Sequence, residues 1–315
     1  VNGTLLAAAM VLALLAVACG DGGGQPPATT SSPLDEAQRA TATAVTSELS
    51  GAIAFTSLRD DNSEVYVMDA NGSHPANLTK NPAADGGPAW SPDGSHLAFD
   101  SDRDGNTDIY VMKADGSDIT RLTVDPAEDL SPAWSPDAQR IAFVSRRDGN
   151  SEIYVMNADG SGLTRLAGDP ADDSEPAWSP DSQRIAFVSQ RDGNSEIYVM
   201  NADGSGQTNL TNNEASDNGP AWSPDGSVIA FHSNREGKAD IFAISPDSSG
   251  LTRLSEDPEH NDALPAWSPD GRHITFVSDR DGNFEIYVMN ADGSGQTNLT
   301  RNPTTDRDPA WSTAR

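Results

Sequence analysis

The chain has a single cysteine in 315 residues, Cys19, so no intramolecular disulfide can brace it. Positive charge is also scarce: 20 Lys and Arg stand against 48 Asp and Glu, a formal net charge of −28. Such a surface repels phosphate backbones and anionic headgroups, which excludes nucleic acid and a lipid surface as partners. Basic proteins, metal cations and neutral glycans stay open. The five histidines are scattered, with no H-x-x-H pair of the kind a metal site uses. No G-x-S-x-G elbow occurs either, and with no catalytic motif the chain reads as a non-enzyme. Long apolar runs are missing apart from "LLAAAMVLALLAVA" at 5–18. That run is too short to span a bilayer and matches the core of a signal peptide.

The residues at the end of the run carry a second signal. "AVAC" and then Gly20 resembles a bacterial lipobox, in which the cysteine is acylated. Residues 1–18 are therefore expected to be a signal peptide, and 19–50 an anchor cysteine with a Gly/Pro/Ser/Thr-rich flexible linker. This predicts an exported protein, anchored to a bacterial membrane by lipid at Cys19 alone and facing the periplasm or the cell exterior.

The remainder, 51–315, is repetitive. Every tryptophan sits in the phrase "PAWS", at Trp90, Trp134, Trp178, Trp222, Trp267 and Trp311, with spacings of 44, 44, 44, 45 and 44. Between phrases runs a constant order: "SPDG", "IAF", "RDGN", "EIYVM", "NADGSG", "LT". A period near 44 residues points to a repeat architecture. Each unit holds four short apolar runs rich in β-branched and aromatic residues, separated by turn formers, which predicts a four-stranded antiparallel meander. Six such units close most economically as an all-β, six-bladed propeller. The first unit starts at "GAIAFTS" (51–57) without a PAWS strand, and the last PAWS (309–312) has no second strand after it. The C-terminal PAWS strand is thus expected to complete the first blade, pairing with Ile53–Ser57 and hiding both edges.

The unit resembles the WD-like repeat of the TolB C-terminal propeller. A linker rather than an α/β domain stands ahead of the repeats, so the resemblance implies a TolB-like lipoprotein with a bare propeller. It implies a non-catalytic scaffold of the bacterial envelope, with an envelope protein such as a peptidoglycan-associated lipoprotein as partner and a monomer as its state. Two other readings stay open: a glycan-binding or polysaccharide-processing propeller, and a shortened Tol–Pal component.

Two sets of residues stand out as candidate sites. An aspartate lies three residues before each PAWS proline: Asp85, Asp129, Asp173, Asp217, Asp262 and Asp306. Six-fold symmetry would gather them into a ring at the channel mouth able to hold a divalent cation such as Ca²⁺, unless each only caps its own turn. No other cofactor is implied. The loops before PAWS differ while the strands barely change, which places partner contacts at Glu175, Asn218, His260, Leu264, Arg307 and Asp308. The phrase "DRDGNTD" imitates a calcium loop through Asp102, Asp104, Asn106 and Asp108, echoed by Asp279, Asp281, Asn283 and Glu285. Its sixth position is not Gly, and position twelve is Lys113 or Asn290, so a Gly-Asn bend is the better reading. The six Trp, with Tyr66, Tyr110, Tyr154, Tyr198, Tyr287 and Phe242, read as core rather than as a sugar platform.

Overall fold

The computed structural model describes residues 49–312; the expected signal peptide, Cys19 and the linker up to residue 48 lie outside the described residues. Those residues form 24 strands, numbered β1 to β24 in chain order, grouped into six four-stranded antiparallel sheets, with no helix among them. Blade one contains β1 (Ala52–Ser57), β2 (Glu64–Asp69) and β3 (Ala76–Asn77), and receives β24 (Asp306–Trp311) as its innermost strand. Blade two starts at β4 (Asp85–Trp90), and the remaining blades repeat its order. Ring closure takes the expected form: Ile53 pairs with Trp311, Ala54 with Ala310, Thr56 with Arg307 and Ser57 with Asp306.

The second strand of each blade is apolar on both faces because both faces are covered. Its residues alternate between the two sides of the sheet. In blade three, Ile141 and Phe143 pack towards Ile109 of blade two, while Ala142 and Val144 pack against Trp178 and Ile185 of blade four. Ile141, Ala142 and Phe143 are fully buried, and a large side chain removed from water in this way contributes roughly 1.5–3 kcal/mol. The aromatic at the centre of the third strand stacks on the second-strand Phe, with ring centres 5.7 to 6.0 Å apart in all six blades, so these rings are core.

The RDGN phrase is a bend in which each residue has a separate task. In blade two, Arg103 Nη2 donates to Asp85 Oδ1 at 2.8 Å, and Asp104 accepts the Tyr110 hydroxyl at 2.5 Å. Gly105 turns the chain at φ +105°, a conformation that side chains rarely adopt. Asn106 Nδ2 donates to the carbonyls of Asp125 and Ala127, at 2.9 and 3.2 Å, and ties down the loop entering the next blade. Blade five shows the dependence. There Phe242 replaces the tyrosine, and the bend reads Arg235-Glu236-Gly237-Lys238: with no hydroxyl to hold, the aspartate is gone and the arginine stays.

Candidate functional site in the axial channel

The innermost strands begin at the aspartates, three residues earlier than PAWS, and each carries a bulge. Pairing with the second strand shifts between Gly86 and Ala89 in blade two and at the equivalent place in the other five. A bulge on an edge strand tolerates proline, which has no N–H to donate. The residue before each proline turns to positive φ: Gly87 +55°, Ser131 +52°, Glu175 +52°, Gly219 +65°, Leu264 +52° and Asp308 +54°. These six residues and their six prolines line an axial cavity of ≈ 230 Å³. Four of the six carry a side chain in a backbone region that costs about 1–2 kcal/mol without glycine. The fold needs the bulge, but not those four side chains.

Beneath each bulge lies one position of a neighbouring second strand, occupied in turn by Thr56, Asp100, Val144, Val188, His232 and Val277. The polar ones receive bulge N–H groups. Gly87 N donates to Thr56 Oγ1 at 3.2 Å, Ser131 N to Asp100 Oδ2 at 3.0 Å, and Leu264 N to His232 Nδ1 at 3.4 Å. Val188 offers no acceptor, and Glu175 reaches across instead, accepting Gly219 N–H through Oε2 at 2.6 Å. The channel wall is thus a polar network in which no two blades are alike.

Its titratable groups are shifted by enclosure. Burial raises Asp100 to about 6, with Asp308 and Asp85 adding repulsion against the pull of the Ser131 N–H and Arg307. Glu175 is raised mainly by burial and further by Asp308. Asp308 is raised by burial as well, opposed by Arg307 and the Thr56 hydroxyl. Burial lowers His232 to about 4, so its imidazole is neutral near pH 7 and free to accept the Leu264 N–H. Because Asp308 repels both Asp100 and Glu175, the three carboxylates share one field.

The aspartates proposed as a cation ring are not gathered there. Each is at most 1% exposed and is bound by an arginine of its own blade. The pairs are Arg103–Asp85 at 2.8 Å, Arg147–Asp129, Arg191–Asp173 and Arg235–Asp217 at 3.0 Å, Arg280–Asp262 at 2.8 Å and Arg59–Asp306 at 2.9 Å. An arginine neutralises each carboxylate. Among the described residues, no three or more His, Cys, Asp or Glu stand close enough together to hold a metal ion. Of the partner-contact candidates, Glu175, Leu264 and Asp308 do converge, as bulge residues inside the channel. Arg307 Nε lies 3.5 Å from Asp308, Asn218 precedes the Gly219 bulge, and His260 sits apart with its Nδ1 3.0 Å from Asp257. Asp100, His232 and Thr56 escaped the sequence reading. Their signal was a polar residue interrupting "IAFVS" in three of six copies, visible only once that position is known to face the channel.

Comparison with known proteins agrees with the architecture. Three overlapping stretches, residues 44–131, 125–205 and 176–263, match the TolB beta propeller domain. The TolB of Acinetobacter baumannii is similar in structure, with 24% identity and a TM-score of 0.74 over 83% of this chain. The match covers 66% of that protein, just under two thirds of its length. A protein from Agrobacterium tumefaciens described as a TolB has 24% identity and a TM-score of 0.66, covering 85% of this chain and 92% of its own. Hydrazine synthase of Kuenenia stuttgartiensis shares the fold at 16% identity and a TM-score of 0.71, over 87% of this chain and 49% of that one. No curated protein matches the sequence. With well over half its length matched by one domain family, and with the six-bladed ring that goes with it, the chain belongs to the TolB beta propeller domain family.

Proposed function

We propose that the protein is a non-catalytic binding scaffold of the bacterial envelope, and that it engages a protein partner through the acidic channel. One observation carries this reading. Of the groups that differ from blade to blade, Glu175, Leu264 and Asp308 line a single cavity, with Asp100 and His232 hydrogen-bonded beneath its bulges, while the repeated groups are consumed by the scaffold. Glu175 and Asp308 face the cavity, and burial raises both carboxyls; an incoming positive charge would favour their ionised forms and so be drawn to the channel. A partner that inserts a basic extended segment fits this wall. The envelope location accords with the family, and a lipid anchor at Cys19 would hold the ring close to its partners.

The test is capture of envelope proteins by the full chain and by a Glu175→Gln/Asp308→Asn variant. Capture of an envelope protein that the variant loses, and that weakens as salt is raised, supports the reading; a peptidoglycan-associated lipoprotein among the captured proteins would point to a Tol-type role. Capture indifferent to both changes, or turnover of a glycan by the purified chain, overturns it.

A further inference from the structure

The opposite end of the ring, where the tryptophans lie, has its own repeated construction. In blades four and five the indole is covered by a guanidinium from the preceding blade. Arg140 lies 4.5 Å from the ring centre of Trp178, and Arg184 lies 4.6 Å from that of Trp222. Arg140 Nη2 also donates to the Ser182 carbonyl at 3.2 Å and stands 3.9 Å from Asp137. Trp178 and Trp222 are 6% and 8% exposed.

Both arginines stand just before an "IAF" run, a position held in the six units by Ala52, His96, Arg140, Arg184, Val228 and His273. Towards blade six it is Val228, too short to roof Trp267. A cavity of ≈ 400 Å³ opens at this point, lined by Trp267, Val228, Pro224, Asp225, Asp270 and Gly271 among others. By repeat position, Asp225 corresponds to Asp137, Asp270 to Asp181 and Gly271 to Ser182. The surroundings of a guanidinium are therefore kept, and only the guanidinium is missing. Both carboxyls carry charge at neutral pH. The Ser223 hydroxyl and the Ser227 N–H and hydroxyl hold Asp225 down at about 2. Burial works against Asp270, but the Ser268 hydroxyl and the Arg272 N–H outweigh it and keep it below the usual carboxylate range. At the Trp90 position Ala52 is also short; Ser312 N donates to its carbonyl at 2.8 Å, and residues 313–315 lie outside the described residues.

We propose that the slot over Trp267, between blades five and six, is a docking site for an arginine side chain of a basic partner polypeptide. The chain itself displays the stacking twice, and Arg140 adds a donor to the Ser182 carbonyl with the Asp137 carboxylate 3.9 Å away. A planar guanidinium can stack on an indole face while its in-plane donors reach a carbonyl and a carboxylate, which a lysine ammonium does less well. Two charged aspartates on a protein of net charge −28 supply the complementary field. The site lies at the other end of the blades from the bulged channel wall and does not depend on the channel reading.

The test is an NMR titration of the full chain labelled at the Trp indole N–H, with Trp267→Phe identifying its signal. N-acetyl-arginine-N-methylamide is the probe, beside its lysine and norleucine counterparts. The Trp267 signal is expected to move saturably with the arginine compound, to require about tenfold more of the lysine one, and to ignore norleucine. In Val228→Arg, whose new guanidinium should roof the indole as Arg140 roofs Trp178, the signal should already be displaced and no longer respond. No saturable movement, an equal response to norleucine, or an undiminished response in folded Val228→Arg overturns the proposal. If that variant fails to fold, the three titrations of the unmodified protein decide alone.

Discussion

Asp129 and Asp100 are both carboxylates on strands near the propeller axis, yet they belong to different parts of the molecule. Asp129 occurs in six copies, and each copy has an arginine bound to it. Asp100 occurs once, receives a backbone N–H, and repels Asp308 of the neighbouring blade. What recurs in every blade solves a problem every blade has: a buried carboxylate at the start of an inner strand must be neutralised. What occurs once answers no shared need, and its electrostatic cost is borne locally. Recurrence thus separates scaffold from site here better than charge does, because both groups are acidic.

The contrast can be broken from either side. The largest effect is expected from Arg147→Met, which leaves Asp129 buried without its partner; a loss of about 3–5 kcal/mol in urea denaturation is anticipated. A loss below about 1 kcal/mol would show that the recurring pairs are not what holds the inner strands. The opposite sign is expected for Asp100→Asn. The folded protein holds the Asp100 proton to about pH 6, above the unfolded value, so ionisation opposes folding. Stability should therefore fall as pH rises from about 4 through about 6. Asp100→Asn should remove that decline and gain on the order of 2–3 kcal/mol at pH 7. A pH profile unchanged by the substitution would erase the distinction.

Smaller effects sharpen the comparison within the bend. Tyr110→Phe removes the hydroxyl held by Asp104 and should cost about 1 kcal/mol in thermal or urea unfolding. The reverse change in blade five, Phe242→Tyr, should fall within about 0.5 kcal/mol of zero, since that bend has no aspartate to receive the hydroxyl. If Phe242→Tyr stabilised as much as Tyr110→Phe destabilises, the pairing of bend aspartate with tyrosine would be coincidental.

Much of the fold was legible because its signals are local and recur. The tryptophan spacing, the four apolar runs per unit and the incomplete units at the two ends were enough to expect six closed blades, and the pairing of Ile53 with Trp311 has that form. The bend reading of RDGN came from the same local logic. The arginine that binds each of the six aspartates was not legible, because in five blades it is 18 positions away, across a hairpin whose register spacing alone does not reveal. Placing Glu175, Leu264 and Asp308 at partner contacts rested on loop variability. That the three share one channel depends on a bulge that the letters before a proline do not announce.

Strand number, blade count and closure were written in the sequence because each depends on apolar periodicity and turn chemistry within about a dozen residues. Which carboxylates are spent on arginines, which stand exposed to each other around the axis, and which tryptophan lacks its cover were decided only when the ring closed. Those properties belong to distances between blades, and neighbouring blades meet through side chains more than thirty positions apart in the chain.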